Sequence, residues 1–428
     1  MAWDFQTDTE SVDELEWIDT FVREEVEPID LFVDDPWNVN DALRNDLIKP
    51  LQRQVKERKL WACHLGPELG GRGDGQVKLG LINERLGRSL AAPIVFGCQA
   101  PDSGNSEILA HYGTDEQKQR FLAPLLDGQT VSCFSMTEPQ GGSDPEVLTT
   151  SARREGDSWV IDGEKWFSSS AHVASFFIVM AVTDANAPKY QRHSMFIVPA
   201  DTPGIELLRN VDGHHGYVRY NDVRVPEDHI LGEPGQAFVV AQTRLGGGRI
   251  HHAMRTVGLV RHNFDLMCRR ALSRTTAGAT LADKQLVQAA IAESWCEIEG
   301  FRLLVLQTAW KIDKLQDYRA VRGDISAIKA MMPRVLNNVA SRALQIHGSI
   351  GITDEMPFMR AVRDSYAMGL VDGPTEVHQT NLAKALLRGY TADSEVFPDY
   401  HVIRRREHAE AKYADILARH GILPRSGS

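Results

Sequence analysis

Apolar positions along the chain change period twice. From about residue 10 to 125 they recur at helical spacing, and Thr114 ahead of Asp115-Glu116-Gln117 marks one helix start. From about 127 to 240 the period becomes that of strands. Strands are expected at Phe176–Val182, Ser194–Val198 and Tyr217–Val225. A hairpin is expected from Trp159 to Phe167, turning on Asp162-Gly163. No helical pattern separates these runs, which predicts an antiparallel barrel or sandwich rather than a βαβ sheet. Beyond 240 the pattern is helical again. Val287, Ile291, Ser294, Ile298, Phe301, Val305, Thr308 and Ile312 mark one face of a long helix. A second runs from Asp324 to His347, stopping before Gly348, with Pro333 inside it removing one backbone bond and bending it. The α+β organisation is therefore an N-terminal helical domain (1–126), a central β domain (127–240), a C-terminal four-helix bundle (241–395) and a charged tail (396–428). The tail carries a helix pattern from Arg404 to His420.

Composition changes this picture only by exclusion. A net charge of −11 on 428 residues argues against a general nucleic-acid binder, which usually carries a basic face. Five scattered cysteines, none in a CxxC pair, fit neither a disulfide scaffold nor a zinc site. The first residues lack a signal-type apolar stretch, and no run is long enough to span a membrane, so the expectation is a cytoplasmic protein. Gly70-Gly71-Arg72-Gly73 does not fit GxGxxG, and a surface turn is the better reading. His214-His215 and His251-His252 are adjacent pairs, whose side chains diverge on a strand or helix, so no metal site is expected.

Four segments carry chemistry. In Phe134 to Asp144 a strand runs into a Pro- and Gly-rich turn, where backbone N–H groups can approach a flat or phosphorylated ligand and Thr137 and Ser143 add hydroxyls. Trp166-Phe167-Ser168-Ser169-Ser170 sets aromatics beside hydroxyls, suited to the face and rim of a heterocycle. Alone, such aromatics are more often core. Gln345 to Gly351 is a helix end broken by glycines. Asp372-Gly373-Pro374-Thr375-Glu376 places two carboxylates around a turn, a pattern that also serves simple capping.

Together, in this order, the segments resemble the acyl-CoA dehydrogenase family over roughly residues 10 to 395. FSMTEP, RLGGGRIHHAMRTVGL (244–259) and VDGPTEVH look most like the branch containing family members ten and eleven. The resemblance implies bound FAD, held by Phe134, Met136, Thr137, Gly142 and Ser143, with Phe167, Ser168 and Ser169 as the flavin wall. Ser143 also falls near the coenzyme-A side. Arg274, Gln285, Gln345 and Ser349 match contacts to a neighbouring subunit's FAD, which implies a homodimer or homotetramer; Ala277 stands where an aromatic is usual. Glu376 matches a cofactor contact, and Arg249 accompanies the acyl-CoA substrate.

Asp372 occupies the position of the catalytic glutamate, one methylene (about 1.5 Å) shorter. The implied reaction passes an α-proton to Asp372 and a β-hydride to flavin N5. The Gly373 backbone N–H and a ribityl hydroxyl polarise the thioester carbonyl, and electrons leave to an electron-transfer flavoprotein. Burial by the acyl chain is expected to raise the Asp372 pKa. An oxidase of the same fold and a non-catalytic flavin-binding subunit are the alternatives.

Overall fold

A computed structural model describes residues 8–67, 71–393, 396, 398 and 400–422. They fall into two units, divided between Gln379 and Thr380. Asp8 opens the first helix by accepting the Ser11 N–H at 2.8 Å. The N-terminal layer is α1 (Thr9–Phe21), α2 (Ala42–Glu57), α3 (Gly75–Leu86), α4 (Ala92–Val95), α5 (Asp102–Tyr112), α6 (Asp115–Gln117) and α7 (Ala123–Leu126). Ile18, Val26, Ile48, Val55, Leu86 and Phe96 form its core. Thr114 and Gln117 make a reciprocal capping box at the helix start expected there. Residues 68–70 of the glycine loop lie outside the described residues.

The central segment supplies β1 (Ser132–Ser135), β2 (Ser151–Glu155), β3 (Ser158–Ser169), β4 (Phe176–Val182), β5 (His193–Pro199), β6 (Ile205–Asn210) and β7 (His215–Pro226). They form one seven-stranded sheet in the order β1-β4-β2-β3-β7-β6, with β5 on β4. Two expectations are corrected here. The sheet is mixed: β4 runs antiparallel to β5, but β1 and β2 both lie parallel to β4. Strands brought together by long excursions of the chain escape the hairpin logic that predicts antiparallel pairing. Asp162-Gly163 is also not a hairpin turn. It lies inside the twelve-residue β3, at a register shift against β7, and the β2–β3 hairpin turns at Gly156-Asp157 instead. A Cβ on Gly163 would stand about 2.6 Å from the Thr150 backbone. The glycine therefore serves a close crossing rather than a turn.

The third segment begins with the 37-residue α8 (Ala237–Ser273). A two-residue hairpin, β8 (Thr275–Thr276) and β9 (Ala279–Thr280), leads to α9 (Gln285–Leu315), α10 (Arg322–His347), α11 (Phe358–Leu370) and α12 (Thr375–Leu387). Ser294, Ile298, Phe301, Val305, Thr308 and Ile312 are the buried stripe of α9, as the periodicity requires. With Ile250, Val257, Ile325, Leu336 and Ala361 the apolar members of that stripe close one bundle core. Beyond Thr380 the second unit holds the rest of α12, then α13 (Val402–Lys412) and α14 (Ala414–Arg419). The single tail helix expected from Arg404 to His420 is thus interrupted, at Tyr413.

Candidate active site

The Thr137 loop is built on a buried ion pair. Lys165 on β3 donates to Glu138 Oε1 and to the Met136 carbonyl, both at 2.8 Å, and neither charged side chain is exposed. Glu138 also accepts the Thr149 and Thr150 N–H groups, at 2.7 and 2.9 Å. Burial raises its pKa, but Lys165 and these donors outweigh it and hold the carboxyl at about 2. The ammonium has fewer partners, so burial drags Lys165 down to about 8. Glu138 and Gly141 exchange backbone hydrogen bonds around Pro139-Gln140, and the Trp166 N–H reaches the Thr137 carbonyl at 3.0 Å. Met136, Thr137, Gly142 and Ser143 thus sit on a braced loop joined to the second segment. A Cβ at Gly142 would press on the Thr137 methyl at 2.9 Å.

The second segment is a bulge. Register shifts between Lys165 and Ser168, and Phe167 takes φ = +49°, which turns its ring outward. At 46% exposure it stands against Trp166 and His215. Ser168 faces the other way: its hydroxyl is fully buried, 2.8 Å from Ser135 Oγ, to which Tyr220 also donates. Its hydroxyl is therefore spent inside the protein, leaving only backbone for a ligand. Ser169 pairs with Phe134 across β1 and β3, and the buried Ser170 hydroxyl has no hydrogen-bond partner among the described residues. The Phe134 ring lies 3.9 Å beneath the Arg244 guanidinium, so that face is already covered. An outward aromatic face, nearby hydroxyls at Thr137, Ser143 and Ser169, and an unpartnered buried hydroxyl fit a flat heterocycle with a polar rim.

The third component is the turn between α11 and α12. Asp372 takes φ = +54° and Gly373 φ = +102°. Such strain in a non-glycine residue persists only where its surroundings enforce it. Arg249 on α8 donates twice to the Asp372 carbonyl, at 3.3 and 3.1 Å, and His378 Nε2 lies 3.2 Å from the same oxygen. Lys329 on α10 donates to the Met368 and Val371 carbonyls, at 2.9 and 2.8 Å. A Cβ on Gly373 would meet His378 Nε2 at 2.9 Å, so the turn packs directly on that ring.

The Asp372 carboxylate is half-buried, and its Oδ2 lies 4.0 Å from His252 Nε2. Burial pushes its pKa up, yet His252, Lys329, Arg244 and Arg249 together outweigh burial and hold it below the usual value. This is the setting before an acyl chain covers the turn, and the charged groups crowding it have no local signature in the sequence. Burial lowers Lys329 to about 8 and His252 to about 4. The structure brings the expected Asp372, Gly373 and Arg249 together and sets beside them Lys329 and His252, which sequence reasoning did not single out. Both lie on helices distant in sequence, and only a lysine at an otherwise apolar position of α10 hinted at the first.

Glu376 stands exposed on the first turn of α12. Arg274, Gln285, Gln345 and Ser349 are also exposed. They gather at one end of the bundle, where Arg270 donates to the His347 carbonyl and Leu281 N–H to the Arg274 carbonyl. Arg274 is 25 residues beyond Arg249 on and just past α8, about 37 Å at a helical rise of about 1.5 Å. These four residues are thus separate from their own chain's Asp372 turn. Among the described residues no group of three or more His, Cys, Asp or Glu could hold a metal, and no helix is long and apolar enough to cross a membrane.

Residues 10–129, 133–223 and 235–387 match, in turn, the N-terminal, middle and C-terminal domains of acyl-CoA dehydrogenase. The chain belongs to the acyl-CoA dehydrogenase family of oxidoreductases. It is 40% identical to acyl-CoA dehydrogenase family member 10 of Mus musculus over 82% of this chain and 34% of that protein. It is 40% identical to FadE2 of Mycobacterium tuberculosis over 80% of this chain and 86% of that one. A solved structure from Mycobacterium abscessus, assigned to the same family, superposes with a TM-score of 0.84 at 37% identity, covering 90% of this chain and 100% of that one. The chain spans about a third of the mouse relative's length.

Proposed function

We propose that the protein is an FAD-dependent acyl-CoA dehydrogenase in which Asp372 takes the α-proton of a coenzyme-A thioester. The observation that carries this reading is the Asp372 turn, whose strained backbone is tied to three helices while no hydrogen bond from the described residues reaches its carboxylate, which stands among cations. A base kept ionised needs this electrostatic setting, and an acyl chain covering it would remove water and raise its basicity. FAD, when bound, supplies the hydride acceptor. Thr137, Ser143, Ser169 and the outward face of Phe167 hold it, and Gly142 lets the loop close on Thr137. Arg249 fixes the carbonyl of the base and, as the family resemblance implies, accompanies the acyl-CoA substrate. The Gly373 N–H is the donor toward the thioester oxygen. Electrons leave to an electron-transfer flavoprotein, and the protein works in the cytoplasm.

The test is anaerobic mixing of the yellow holoenzyme with a panel of acyl-CoA thioesters, following the oxidised flavin band. Bleaching by at least one is expected. A protein that cannot be loaded with FAD, or that no acyl-CoA bleaches, overturns the reading and favours a non-catalytic subunit. Peroxide formed in air at the bleaching rate would identify an oxidase instead.

We further propose that Arg274, Gln285, Gln345 and Ser349 close the FAD site of a second copy, in a homodimer or homotetramer. The turn after Arg274, with Ala277 and Gly278 both at positive φ, projects this end outward. Arg274→Ala is therefore expected to lower FAD occupancy and shift the assembly toward smaller species by light scattering. An active, FAD-loaded monomer of the wild type sinks this arrangement.

A further inference from the structure

His252 sits three residues after Arg249 on α8, so both project toward the Asp372 turn from the same helical face. Arg249 holds the Asp372 carbonyl, whereas His252 stands 4.0 Å from Oδ2. Among the described residues no hydrogen bond reaches the Asp372 carboxylate oxygens or the His252 ring. The other charged groups facing His252 are all cations: Arg255 and Arg244 on α8 and Lys329 on α10. The adjacent His251 points elsewhere, edge-on to His64.

At 4.0 Å the ionised carboxylate and the imidazole Nε2 are beyond hydrogen-bond distance, and with the ring N–H on Nδ1 no proton lies between them. A proton taken from a substrate supplies one. We propose that His252 resets the base: the Asp372 O–H bond formed in the reaction breaks, a bond from that proton to His252 Nε2 forms, and its electron pair stays on the carboxylate. Neither group is oxidised or reduced. The three cations keep the imidazolium short-lived, and its side chain, 21% exposed, hands the proton to water. The other carboxylate oxygen remains free for the next substrate. His252 is thus a positioning residue acting through Asp372, and the inference rests on Asp372 being the base. Hydrogen bonds of this kind are often long in free enzymes and close in the substrate complex.

The test compares two rates in the holoenzyme. One is flavin bleaching on anaerobic mixing. The other is uptake of solvent deuterium at the α-carbon of the same acyl-CoA, read by mass spectrometry in D2O, with the flavin reduced beforehand by dithionite so that no turnover occurs. His252→Gln keeps a polar partner for Asp372 but cannot carry a proton. Its deuterium uptake is expected to fall about tenfold or more beyond whatever its bleaching rate loses. His252→Ala is expected to lose uptake likewise, and added imidazole to restore it.

Unchanged uptake in either variant overturns the proposal. So does an equal fall in both rates that imidazole does not reverse, or loss of FAD from both variants, since these mark a structural role. Asp372→Asn separates the two ideas. If it takes up deuterium as fast as wild type, the base assignment itself fails; if it does not, and the His252 variants do, only the relay fails.

Discussion

Asp372→Asn is expected to fold, hold FAD and bind acyl-CoA, yet to reduce its flavin about 10²–10⁴-fold more slowly than wild type, the usual effect of removing a general base. The fold survives because the bonds fixing this turn from Arg249 and His378 go to the residue's carbonyl. Asparagine also tolerates the left-handed conformation found at φ = +54°. What changes is the atom facing the thioester, from an acceptor of protons to an amide. Stopped-flow absorbance under anaerobic conditions reads the rate. Asp372→Glu is the companion: it restores the family's usual acid with about 1.5 Å more reach. Activity there with altered chain-length preference means that the turn has been set for the shorter side chain. Near wild-type bleaching by the asparagine variant removes Asp372 as base and moves attention to Glu376 at the start of α12.

Lys165→Met is expected to destabilise the protein by about 3–5 kcal/mol at neutral pH and to empty it of FAD, because deleting one partner strands a buried charge. Glu138 would keep its Thr149 and Thr150 donors but lose the ammonium, and the Met136 carbonyl would lose a donor beside Thr137. The effect has a definite pH signature. Glu138 ordinarily ionises near 4.5 and in the fold at about 2. Its pairing therefore contributes stability above about pH 4.5, which is lost as pH falls toward 2. In the variant the unpaired carboxyl protonates more readily, and a neutral buried acid is less costly. The gap between variant and wild type in urea midpoint is expected to shrink on acidification below about pH 4.5. A small, pH-independent loss with FAD retained would mean that the loop is braced by its backbone bonds alone.

Much of this protein is legible in its sequence where one element carries its own signal. The α9 stripe from Ser294 to Ile312, the Thr114 capping box and the β4 bounds all follow from local period or chemistry. Asp162-Gly163 misled because the same dipeptide that makes a tight hairpin also allows a close strand crossing, and only Thr150 on a neighbouring segment decides between them. The parallel β1–β4 pairing was hidden because nothing local encodes a partner more than 40 residues away. At the candidate site, motif resemblance singled out Asp372, Thr137 and Phe167. It could not assign Ser168 inward, because a single-residue bulge inverts the facing of every residue beyond it. Lys329, His252 and Lys165 act through contacts between segments, and their identity matters only once the helices and strands have met.

The Asp372 turn is anchored through main-chain oxygens by Arg249, Lys329 and His378, none of which grips the carboxylate. Mount and tip are thereby separable. The three anchors hold the same backbone whether its side chain is aspartate, glutamate or an inert amide, so the acid can be exchanged without rebuilding the helices beneath it. If Asp372 is the base proposed above, this makes the reactive group an easy variable for a lineage: its reach can drift by one codon while the scaffold stays intact. The same property makes position 372 a convenient place for a designer to retune such an enzyme.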